Sequence, residues 1–170
     1  ESDIGLEQAQ SLAGESRFTL QGLFEKTRLA GSVLAKKYPR PEDLTNALDL
    51  TFRAQTDVVA IELYDMTPTG PKLVNHVVKE DYFKKYDTLA DVLANIREVR
   101  PIPFESALAS RVEVTNSSIK GGPPLTTFTI PLTKNAQGQV TQVVVGDFRQ
   151  ERLQKMFSSR DARVNFLINS

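Results

Sequence analysis

ESDIGLEQAQSLAGESRFTLQGLFEKTRLAGSVLAKKY, residues 1–38, opens the chain and contains no proline. Leu6, Ala13, Leu20, Thr27 and Leu34 lie seven apart, and Ala9, Ser16, Leu23, Ala30 and Lys37 form a companion row. Steps of three and four return a side chain to the same helix face, so the stretch predicts one long helix with a sustained seam. At 1.5 Å per residue such a helix spans about 57 Å, more than a compact domain of this size requires. A helix that outruns its domain pairs with another copy or carries a signal towards a membrane. Leu6, Ala13, Leu20, Leu23 and Leu34 are the expected dimer-seam positions. Ser16, Thr27 and Lys37 interrupt the seam, so part of the same face is expected to pack on the domain's own sheet. Gly14 costs the helix about 1 kcal/mol relative to alanine, as a tolerated surface glycine or as a point of close approach.

Pro39 and Pro41 end this helix, because the residue before a proline is pushed out of the helical region. Pro41 also suits the first turn of a second helix, with Glu42 and Asp43 at its positive end and Leu44, Ala47, Leu48 and Phe52 as its buried stripe. The apolar, β-branched run from Asp57 to Asp65 predicts a central strand. Met66 to Pro71 is a turn of some length, and Lys72 to Val78 returns as a second strand. Residues 79–100 revert to helical spacing through Tyr82, Phe83, Tyr86, Leu89, Val92, Leu93 and Ile96. Pro101 and Pro103 break that helix, and Phe104 to Ser110 adds a turn or two. Three further strands are expected: Arg111 to Ile119, Leu125 to Thr133 and Gln139 to Phe148, the last two joined by a turn at Asn135-Ala-Gln-Gly138. Arg149 to Phe157 reads as a short helix and Ala162 to Ile168 as the beginning of another strand.

At 170 residues, 40% apolar and 25% charged, the chain is an ordinary globular composition with enough mass for a full core. Twenty-one basic residues balance twenty-one acidic ones, which removes the global field that would draw in nucleic acid. Cysteine is absent, so disulfides, thiolate nucleophiles and zinc–thiolate sites are excluded. No apolar run approaches the eighteen residues of a membrane span, and no signal peptide is present. Both ends lie inside regular patterns, so the chain reads as a segment of a longer protein.

The order of elements resembles the extracytoplasmic Cache-type sensor domain, the PAS-like ligand-binding module of bacterial transmembrane receptors. Three stretches carry the likeness: Ile61-Glu-Leu-Tyr-Asp65 with Gly70, Phe128-Thr-Ile-Pro-Leu132 through Gly138, and Val143-Val-Val-Gly-Asp-Phe148 with Leu153. The resemblance implies an α+β fold, a long N-terminal helix packed on a PAS-like central antiparallel sheet of about five strands. It divides the chain into a signalling helix (1–38), a sensor core (39–157) and the start of a further strand or membrane-proximal unit (158–170). It implies a periplasmic or extracellular domain of a membrane-anchored, inner-membrane receptor, homodimeric in its parent and binding an unknown small molecule. No cofactor and no metal are expected. The alternative is a cytoplasmic dimerisation or scaffold module of roadblock or profilin-like topology.

An enzyme has little support. His76 is the only histidine, so a Ser–His–Asp arrangement would depend on it, and it lies mid-strand without a nearby acid. The ligand-binding candidates are Asp147, Tyr64, Tyr82, Phe104, Phe128 and Arg100. Asp147 ends an apolar strand, where a carboxylate is costly unless paired, hydrogen-bonded or facing out. The resemblance places it where amino-acid-binding members contact the ligand amine; capping the helix that follows is its other reading. The family's arginine- and tryptophan-containing stretch for the ligand carboxylate is missing, since the chain has no Trp. Tyr64, Tyr82, Tyr86, Phe104 and Phe128 line a pocket or fill the core, and Arg100 and Arg111 meet an anionic ligand or solvent.

Overall fold

The computed structural model describes residues 2–86 and 92–151, with side chains from residue 17 onward. The opening periodicity folds as one helix, α1 (Ser2–Ala35), of 34 residues. Pro39 separates it from α2 (Pro41–Leu48), which has Pro at its start and Glu42 and Asp43 in the first turn. A wider turn, Asp49–Arg53, continues α2 and closes with Ala54 N–H donating to the Asp49 carbonyl at 2.9 Å. It seats Phe52 at 1% exposure.

The strands are β1 (Val58–Thr67), β2 (Gly70–Val78), β3 (Glu113–Asn116), β4 (Leu125–Lys134) and β5 (Val140–Arg149). They form one five-stranded sheet in the order β2-β1-β5-β4-β3, antiparallel at every pair. The β1–β2 loop is tighter than the sequence suggests. Thr67 pairs with Gly70, leaving Pro68 and Thr69 as the whole loop, and Gly70 takes the positive φ of 117° that glycine accepts at no steric cost. Between β2 and β3 the expected 79–100 helix comprises α3 (Glu80–Phe83), a 3₁₀ turn to Tyr86 and α4 (Val92–Val99), and α5 (Phe104–Leu108) follows the proline break as expected. β3 is shorter than the expected 111–119. Residues 152–157 of the expected 149–157 helix, the 162–168 strand and Leu89 lie outside the described residues.

Period-two alternation sorts the sheet into two faces. Ile61 and Leu63 of β1, Phe128 and Ile130 of β4, and Val144 and Phe148 of β5 meet Leu23, Ala30, Val33 and Leu34 of α1. Phe128 and Phe148 stack edge to face at 5.1 Å, a geometry worth about 0.5–1.5 kcal/mol beyond burial. The intervening residues face α3, α4 and α5, where Val59 and Ala60 pack with Tyr82, Phe83, Val92, Ile96 and Leu125.

Leu23 and Leu34 are thus 5% exposed in the chain's own core and are not open to a partner helix, which corrects their place in the expected dimer seam. Leu20 keeps 37% exposure, while the side chains of Leu6 and Ala13 lie outside the described residues. Gly14 has open space around it. Gly31 does not: a Cβ there would lie 2.5 Å from Val144 Cγ2, because α1 runs almost onto β5. Gly31→Ala, which in an open helix would gain about 1 kcal/mol, is expected instead to lose about 1–3 kcal/mol through overpacking. Gly22, with nothing within 4 Å, is the control: denaturant midpoints of the two alanine variants should move in opposite directions.

Candidate functional site

Glu62 sits in the middle of an apolar strand, and alternation aims it at the face under α4 rather than at α1. At 4% exposure its carboxylate needs a partner. The partner comes from α4, which docks through Val92 and Ile96. Arg97, one position beyond Ile96 and one turn beyond Leu93, extends down onto the sheet. Its Nε and Nη2 donate to Glu62 Oε2 at 3.0 and 2.5 Å.

The same guanidinium holds the expected ligand residue Asp147. Nη1 donates to Asp147 Oδ1 at 3.2 Å and Nη2 to Oδ2 at 2.6 Å, with Thr127 Oγ1 3.5 Å from Nη1. Asp147 pairs across the sheet with both Ala60 and Thr127, and Thr127 Oγ1 donates to its Oδ1 at 2.5 Å. Having spent its one proton, the Thr127 oxygen accepts from the Ser117 hydroxyl, 2.6 Å away. Asp147 is fully buried, and its carboxylate is held by Arg97 and Thr127.

Five N–H bonds of a guanidinium thus meet Glu62, Asp147 and Thr127. Burial alone would lower the basicity of Arg97, but the charges of Asp147 and Glu62 outweigh it and raise its pKa above the ordinary value. Glu62 Oε1 accepts from the Tyr64 hydroxyl at 3.1 Å. Burial, then the Glu62 charge, raises the Tyr64 pKa in turn.

Beside this network an open cavity of about 880 Å³ lies between the β1–β2 hairpin and α4. Glu62, Tyr64 and Arg97 stand at its base, Leu73, His76 and Val78 line it from β2, and Glu80 and Phe83 from α3. Val92, Leu93, Ala94 and Glu98 of α4 complete it.

The expected site residues divide accordingly. Tyr64 lines the cavity and stacks edge to face on Phe104 at 5.0 Å, so Phe104 supports it from behind. Tyr82 is 2% exposed in the neighbouring core, with the cations of Lys85 and Arg149 over its ring. Phe128 faces α1 on the other side of the sheet, because β4 alternation directs Thr127, not Phe128, to the cavity side. Arg100 is exposed and does not line the cavity. His76, on the edge strand β2, borders the cavity.

Arg97, Glu62, Thr127 and Ser117 were not among the sequence candidates. Signals in the sequence pointed to two of them: a carboxylate, Glu62, inside Val58-Val-Ala-Ile-Glu-Leu63, and Arg97, four residues after Leu93 on an apolar stripe. Among the described residues no group of three or more His, Asp or Glu side chains could hold a metal ion.

No protein-family model matches the chain, and no curated protein sequence matches it. Among solved structures it is similar to the ligand-binding domain of the amino acid chemoreceptor PctC of Pseudomonas aeruginosa PAO1 in complex with GABA, with a TM-score of 0.53 and 15% identity. The match covers 94% of this chain and 65% of that one, so this chain spans just under two thirds of that domain's length. The likeness is one of fold: the chain has an α+β, PAS-like architecture, with a long N-terminal helix on a five-stranded antiparallel sheet.

Proposed function

We propose that this chain is a ligand-sensing domain whose binding site is the cavity between the β1–β2 hairpin and α4. The observation that carries this reading is the buried Glu62–Arg97–Asp147 network at the cavity base. Well-packed apolar residues in place of a buried ionic triad are often neutral or stabilising, so stability alone does not call for it. Convergent polar groups beside an apolar-walled cavity are what a small-molecule site needs. The GABA-bound chemoreceptor domain of the same fold supports the reading.

The chain then serves as the extracytoplasmic part of a membrane-anchored receptor, with α1 as its signalling element. Among the described residues no helix is long and apolar enough to cross a membrane, so the anchor would lie elsewhere in the parent. Asp147, behind the cavity base, adjoins Gly146, whose missing Cβ would lie 2.7 Å from Thr27 of α1. A ligand that shifted Arg97 would therefore disturb β5 one residue from its contact with α1. Such a shift requires the ligand to prefer one packing of α1 over another.

A thermal-shift panel of amino acids, organic acids and amines tests the reading. A ligand at a hundred times its dissociation constant should add about 2.7 kcal/mol of stability. A chain indifferent to every class at millimolar concentration is not a small-molecule sensor.

A further inference from the structure

We infer that the cavity takes an organic cation with an apolar body, recognised by Glu62 at its base and by Glu98 and Glu80 at its mouth. This rests on the ligand-sensing reading and narrows it to one chemical class. Glu62, Glu80 and Glu98 line the cavity with Asp147 behind them, and Arg97 is the one arginine or lysine in that lining, while Lys84 acts on Glu80 from outside it. The Arg97 guanidinium is already spent. Every N–H of Arg97 faces Glu62, Asp147 or Thr127, so a ligand carboxylate would have to break a buried ion pair to reach it. An anionic ligand would also enter against the remaining negative charge, which apolar walls leave poorly screened.

A cation meets the opposite situation. Among the described residues Glu62 Oε1 receives only the Tyr64 hydroxyl, at 3.1 Å, and a carboxylate oxygen has room for a second donor. Glu98 is exposed and has no ion-pair partner among the described residues. Between base and mouth the walls are Leu73, Val78, Phe83 and Leu93, which suit methylene groups rather than a second polar function. The base is buried and the mouth is open. A linear diammonium can therefore engage both ends, and a monoammonium only one.

Isothermal titration calorimetry on the full chain with pentylammonium, 1,5-diaminopentane, 5-aminopentanoate and pentanoate tests this, since the four share one carbon chain and differ in charge. Both cations should bind, the zwitterion about tenfold more weakly or worse, and pentanoate not at all. Glu62→Gln should weaken both cations about tenfold. Glu98→Gln, at an exposed position that leaves the core untouched, should weaken the diamine about threefold. Pentanoate or 5-aminopentanoate binding as tightly as the cations would overturn the cation assignment while leaving a ligand sensor in place. Cation affinity unchanged in both variants would overturn it equally. Failure of both cations beside a thermal shift from another class overturns the cation assignment alone, and silence across every class overturns the sensing reading with it.

Discussion

Arg97→Met is expected to destabilise the fold by about 3–5 kcal/mol, seen as a lower urea midpoint at an unchanged slope. The size follows from what the substitution leaves behind. Glu62 is 4% exposed and Asp147 fully buried, and no other cation among the described residues is ion-paired to either. Methionine supplies similar bulk, so the loss reports the two stranded carboxylates rather than a cavity. Adding Glu62→Leu and Asp147→Leu to Arg97→Met should recover most of the loss, because a buried ionic cluster replaced as a whole is often neutral or better. The recovery separates electrostatic stranding from damage to α4 packing. A loss below about 1 kcal/mol for the single variant, the size of an exposed pair, would mean that the network is solvated in solution.

Leu23→Ala is expected to cost about 2–5 kcal/mol, the range for truncating a leucine in a packed core. Phe18→Ala on the same helix should stay within about 0.5 kcal/mol. The first residue is 5% exposed against the sheet and the second 80% exposed. The contrast tests which side of α1 the domain itself uses. It also moves the expected dimer seam to a different surface, since among the described side chains of α1 the large apolar ones most open to a second copy are Phe18 and Leu29, the latter at 55% exposure. Phe18→Glu combined with Leu29→Glu should then convert a dimer to a monomer in light scattering while the melting temperature holds. A mass that does not change would remove α1 pairing from the mechanism.

The helix seam was legible because a heptad-like row is local information, and its second half does bury Leu23, Thr27, Ala30 and Leu34. The object it packs on was not legible. The same periodicity serves a partner helix or a sheet, and Gly31 decides between them by allowing α1 to approach β5 closely. β4 alternation was equally readable, with Phe128 and Ile130 on one face and Thr127 and Thr129 on the other. Which face held the cavity was not, and alternation alone does not tell Phe128 from Thr127 as the cavity-side residue.

The site follows the same division. Asp147 stood out because a carboxylate ending an apolar strand requires an explanation, and its burial and pairing meet that requirement. Arg97 lies 35 residues from Glu62 and 50 from Asp147, and no period in the chain relates the three. By itself the sequence determined the long helix, the strand alternation, the proline breaks and an unexplained buried charge, all properties of neighbours at spacings of two to four residues. Only the tertiary structure decided that α4 lies over β1 and β5, because that docking depends on Val92 and Ile96 entering a core assembled from distant strands. With it, an ordinary helix arginine becomes the counter-ion of two carboxylates, and the cavity beside them keeps an excess of negative charge.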